Sequence, residues 1–204
     1  MIDSYRTLDG EAQAKILRKK SRFISLCYHI SSAEEVASLL EQTRHAYHDA
    51  SHRCYAYRIL GKDTPIAYSS DAGEPAGSAG LPILQQIQKH DLYNVLVIIV
   101  RYFGGTKLGI GGLIHAYGDA TAEALAAAKI VKKKQEIELF VRFPPEISSR
   151  VMGLIHRHPA RVEDVKYDEE AQVIVALPPS SVERFTRELK EATGARANWE
   201  EKHD

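Results

Sequence analysis

"NVLVIIVRYFGGTKLGIGGLIHAYGDA", residues 94–120, is the stretch whose reading decides the fold. An apolar run, Val95 to Val100, is too short for a membrane helix and suits a buried strand. It ends in Arg101. Gly104, Gly105, Gly109, Gly111 and Gly112 follow, with Lys107 among them. A small-residue helix pattern then runs from about Gly112 to Lys129, with Leu113, Tyr117, Ala120, Ala124, Leu125 and Ala128 as its inner stripe. Strand, glycine loop and helix admit two readings. The loop holds an anion on its amides, the helix N-terminus and two cations. Or the glycines take positive φ angles and let helix and sheet approach closely. Neither standard phosphate motif is complete. After the gap from Gly104 to Gly109, Ile110 and Gly111 stand where the phosphate loop needs Lys and Ser or Thr. Ile114 stands where GxGxxG needs its third glycine.

Working outward, Leu8 to Leu17 and Arg22 to Ile30 read as strands around a basic turn. "SSAEEVASLLEQTRHAY" reads as a helix capped by Ser31 or Ser32, with Val36, Leu39, Leu40 and Thr43 inward. "HRCYAYRIL" alternates as a strand, and "TPIAYS" is a partner for it. The loop "SSDAGEPAGSAG" leads into a short helix with Pro82 in its first turn. After "VKKKQ" a new set begins. "IELFVRF" puts Ile137, Leu139, Val141 and Phe143 on one face. A helix entered through Pro145, a strand pair turning at Asp168 to Glu170, a helix closed by Gly194 and a last strand from Ala195 to Glu200 complete βαββαβ. The expected domains are 1–133 and 134–204.

The 204 residues are 44% hydrophobic and 26% charged, and 27 basic side chains balance 27 acidic ones. That zero balance argues against non-specific coating of nucleic acid, while leaving room for a local basic patch. The first twenty residues lack the apolar core of a signal peptide. Cys27 and Cys54 both sit in strand-like apolar surroundings, so reduced thiols and a cytoplasmic home are expected.

Asp71 and Glu74, three residues apart, suit metal binding, acid–base work or loop hydrogen bonds. His52 and Cys54 share a strand face, a weak Cys–His nucleophile pattern. His45 and His48 complete no zinc pattern, so no metal and no cofactor are expected. The basic runs Lys15 to Arg22 and Lys129 to Lys134 read as solvated turns unless folding places them on one face.

"DASHRCYAY" (49–57), "SDAGEPAGSAGLP" (70–82) and "IVRYFGGTKLGIGGLIHAYGDA" (99–120) resemble the signature blocks of the IMPACT family, which includes bacterial YigZ-like proteins. The resemblance extends over essentially the whole chain. It implies an α+β protein. The N-terminal α/β domain is then similar to domain IV of elongation factor G, a ribosomal-protein-type βα fold. The C-terminal domain is ferredoxin-like, similar to domain V of that factor. Eukaryotic relatives act in translational control by competing for an activator of a stress kinase, together with an extra N-terminal domain, so that mechanism does not transfer. The family blocks fall on Asp49, His52, Cys54, Asp71, Gly73, Glu74, Pro75, Gly77, Gly80, Arg101, Tyr102, Gly104, Gly105, Gly109, Gly111, Gly112 and Tyr117.

The resulting expectation is a translation-related regulatory protein, more a binding protein than an enzyme. Its partner is a ribosome, a structured RNA or a translation factor, and no membrane or DNA partner is expected. Arg101, Lys107 and the loop amides contact phosphate, and Tyr102 stacks. The alternative is an enzyme on a small phosphorylated ligand, with Asp71 or Glu74 as base or metal ligand.

Overall fold

The computed structural model describes residues 2–61 and 64–202. The chain is mixed α+β and divides into two compact units, Arg6–Lys133 and Lys134–Asp204 together with Met1–Tyr5. The sequence division at 133/134 assigns the opening residues to the other unit. Local bonding explains the difference. The Gln135 amide donates to the Asp3 carbonyl at 2.9 Å. The Ser180 amide and hydroxyl hold the Asp3 carboxylate at 2.9 and 2.6 Å.

In chain order, strands β1 (Ser4–Leu8), which begins before the first unit and runs into it, β2 (Ala12–Arg18) and β3 (Ser21–His29) precede helix α1 (Ala33–Ala46). Strands β4 (His52–Ile59) and β5 (Ile66–Ser70), helix α2 (Gly80–Lys89), strand β6 (Val95–Tyr102), helix α3 (Gly109–Ala127) and strand β7 (Ile130–Lys134) follow. The expected single strand from Leu8 to Leu17 is broken, because Gly10 turns the chain with φ +91°. The Lys129 to Lys134 run is strand β7, paired with β1 in a two-stranded sheet. Its lysines hid a strand that tertiary pairing imposes.

The main sheet runs β2-β3-β6-β4-β5, with every neighbouring pair antiparallel. β6 is central and is buried from Val95 to Val100, as its unbroken apolar run requires. α2 and α3 cover one face, burying Phe23, Cys54, Val97, Ile99 and the stripe Leu113, Tyr117, Ala120, Ala124. α1 covers part of the other face, over Leu26, Leu96 and Ile98. Ser32 caps α1 by accepting the Glu35 amide, with acidic Glu34 and Glu35 in the first turn.

The second unit contains β8 (Ile137–Phe143), a 3₁₀ turn at Pro145–Ile147, α4 (Ser148–Ile155), β9 (Arg161–Tyr167), β10 (Ala171–Leu177), α5 (Pro179–Thr193) and β11 (Asn198–Glu201). Its antiparallel sheet runs β11-β8-β10-β9 over one core containing Leu139, Val141, Phe143, Val173, Phe185 and Leu189. Gly194, at φ +58°, ends α5 in the left-handed conformation. No described helix is long and apolar enough to cross a membrane.

Candidate functional site

Strand alternation decides which side chains meet at the end of β6. Successive residues point to opposite faces. Arg101 lies opposite Phe23 on β3 and His52 on β4, toward α2 and α3. Tyr102 therefore points to the α1 side, where its hydroxyl donates to Asp49 Oδ1 at 2.8 Å. The Arg22 guanidinium lies 4.1 Å from the centre of its ring. Arg101 and Tyr102, grouped by the motif, do not share a site. Two rings lie beside Arg101, the buried Phe23 and Phe103, which is 48% exposed and which sequence reasoning missed. Counting two residues along the strand from Arg101 would have found it.

Arg101 is buried and anchors a polar chain. Its Nη1 meets Glu74 Oε1 at 2.5 Å, and its Nη2 reaches Ser21 Oγ at 3.4 Å. The same Glu74 oxygen accepts the Tyr117 hydroxyl at 2.8 Å. Cys54 Sγ lies 3.2 Å from that hydroxyl and donates to the Asp71 carbonyl at 2.9 Å. Burial, with the Cys54 thiol and the Glu74 carboxylate close by, pushes the Tyr117 hydroxyl up, so it stays protonated and donates. Burial pushes the Cys54 thiol up to about 12. The His52 Nδ1 meets the Ala72 carbonyl at 3.0 Å. With thiol and imidazole both engaged elsewhere, the Cys–His nucleophile pattern finds no support.

Asp71 and Glu74 do not act as a free carboxylate pair. Asp71 accepts the amides of Gly77 at 2.8 Å, Ala79 at 2.9 Å and Gly80 at 2.8 Å. Burial opposes its charge, but the three amides together outweigh that and hold its carboxyl below the ordinary range. Asp71 ties the loop to the start of α2. Among the described residues no three of His, Cys, Asp and Glu gather as a metal site would need.

The glycine loop answers its question in parts. Gly104 is a close approach: a Cβ there would stand 2.1 Å from the backbone of Lys20. Gly105 and Gly109 have φ of +82° and +74°. Gly111 has neither constraint, since a Cβ there would meet nothing within 4 Å. α3 begins at Gly109, a turn earlier than the apolar stripe indicates, with Leu108 as N-cap and no side-chain cap bond. Gly104 also joins a basic run to the loop. It packs on the β2–β3 turn, where Lys19 and Lys20 both have positive φ and are exposed.

A groove of ≈ 400 Å³ opens here, lined by His52, Glu74, Arg101, Phe103, Lys107 and the first turn of α3. Lys107 is exposed, and among the described residues it has no ion-pair partner. A second groove, of ≈ 350 Å³ between β2 and α1, has no cation in its lining.

Residues 19–125 match the Impact N-terminal domain, and residues 149–196 match a domain of unknown function (DUF1949). The chain belongs to the IMPACT family. An IMPACT family member of Thermus thermophilus is 39% identical over 162 residues, 79% of this chain and 86% of its own. The IMPACT family member YigZ of Escherichia coli is 32% identical over 173 residues, 84% of each chain. A crystal structure described as that of a hypothetical protein superposes over the whole of both chains, with a TM-score of 0.70 at 27% identity. Every residue lining the ≈ 400 Å³ groove lies inside the IMPACT match.

Proposed function

We propose that this IMPACT-family protein is a translation-related regulatory protein that binds a ribosome or structured RNA through the Phe103–Gly112 groove. The observation that carries the reading is the setting of Lys107. It is an exposed cation without an ion-pair partner among the described residues, in a groove with exposed Phe103 and the uncapped start of α3. A cation and helix amides suit a phosphate, and an exposed ring suits a base. Lys19 and Lys20 extend the basic rim along the turn on which Gly104 packs. Arg101 has another role. Glu74 neutralises it, so it holds the groove's floor in place while Lys107 supplies the free charge.

The same proposal covers the fold's finer likeness. We read the β8-α4-β9-β10-α5-β11 unit as ferredoxin-like, and the first unit as similar to domain IV of elongation factor G. Both readings agree with a translation context, though a shared fold alone does not establish function.

Co-sedimentation with ribosomes across a salt series tests the proposal. Lys107→Ala should weaken binding roughly ten- to a hundredfold, the loss of one charge-assisted contact. Its salt slope should become shallower by about 0.7–0.9. Binding equal to the parent's at low salt would sink the proposal.

A further inference from the structure

The groove offers acceptors as well as a cation. The Ala72 carbonyl can only accept, so the neutral His52 ring carries its proton on Nδ1 and leaves Nε2 as a bare acceptor. Glu74 uses Oε1 for both Arg101 and Tyr117, and its Oε2 has no partner among the described residues. That side chain is 4% exposed and lines the groove, so a ligand there meets a carboxylate oxygen largely out of water. Both residues line the same groove. Gly73, at φ +87°, brings the turn against the imidazole, so that a Cβ on it would stand 3.4 Å from His52 Nδ1. One surface therefore presents two acceptors, the Lys107 cation and the Phe103 ring.

A phosphodiester alone does not fit that set, because it brings no donor to His52 or Glu74. A ligand with a hydroxyl beside its phosphate brings an anion for Lys107 and one donor, which suits the His52 nitrogen. A ribonucleotide unit carries this pair, as 2′-hydroxyl and phosphate, and adds a base for Phe103. A deoxyribonucleotide would desolvate the His52 nitrogen and give it nothing in return. Resting on the RNA-binding reading above, we infer that the His52 ring nitrogen reads the ribose 2′-hydroxyl, so the groove selects RNA over DNA.

Fluorescence anisotropy on the full chain tests this with a short 5′-phosphorylated single-stranded oligouridylate, its deoxy counterpart and its 2′-fluoro counterpart. The fluoro sugar keeps a ribose-like pucker but cannot donate. The parent should bind the ribo form roughly tenfold more tightly than either analogue, the effect of one lost hydrogen bond in a partly open site. His52→Ala should abolish the preference, bringing the ribo and deoxy affinities together. Lys107→Ala should weaken all three alike. The 2′-fluoro arm uses the parent protein, so it does not depend on any variant folding. A 2′-fluoro polymer bound as tightly as RNA, or a preference that survives in His52→Ala, overturns the inference and leaves RNA binding standing. Failure of every polymer to bind at low salt overturns both.

Discussion

Glu74 and Arg101, 27 residues apart in sequence, meet at 2.5 Å with side chains 4% and 6% exposed. Removing one partner leaves the other charge buried and uncompensated. Glu74→Ala should therefore cost about 3–5 kcal/mol of stability, measured by denaturant unfolding. A double-mutant cycle with Arg101→Met should show strong coupling, the double variant losing much less than the sum of the singles. Additive losses would show that the pair is not the anchor of this loop.

Asp71 should matter in proportion to its ionisation. Its folded carboxyl lies below the ordinary value of 3.8, so it adds stability that is present above that pH and lost as the pH falls through the folded value. Asp71→Asn should cost about 1–3 kcal/mol at neutral pH, since an amide cannot accept at both oxygens. The gap between variant and parent should close below pH 3.8. A gap that stays constant into acid would mean that charge plays no part.

Two glycines seven residues apart in a shared motif should respond oppositely to alanine. Gly104→Ala drives a Cβ into the Lys20 backbone, an overpacking that should cost about 1–3 kcal/mol. Gly111→Ala meets open space inside a helix and should stabilise by about 0.5–1 kcal/mol. Melting temperatures shifted in the same direction by both variants would contradict this division of roles.

Cys54 should resist alkylation. Its thiol is buried, hydrogen-bonded to the Asp71 carbonyl and pushed up to about 12, so little thiolate exists at neutral pH. Cys27, also raised to about 12 by burial, should behave likewise. Mass spectrometry after brief iodoacetamide treatment should find both unmodified in the native protein and modified after unfolding. Rapid native labelling of Cys54 would restore the nucleophile reading.

Sequence reasoning found what short-range periodicity encodes. The apolar run before Arg101 is the central strand, because only a strand buried on both faces reads that way. Leu113, Tyr117, Ala120 and Ala124 face the core because a helical repeat puts them on one stripe. Leu139, Val141 and Phe143 likewise share one side of β8 by alternation. The motif blocks marked the loop at the end of β6 as worth attention.

Roles within that loop were decided by contacts that no local pattern contains. Tyr102 follows Arg101 in sequence yet faces away from it, and Phe103 takes the place beside the groove. Glu74 could have been a base until Arg101 and Tyr117 closed on one of its oxygens. Asp71 could have bound metal until three amides took its carboxylate. Lys20 lies more than eighty residues before Gly104, and their contact makes a solvated basic turn part of the groove's rim. Periodicity follows from backbone geometry, which each segment carries alone. The chemistry of a side chain depends on which remote groups desolvate it, pair with it or leave it free, and only the tertiary structure brings those groups together.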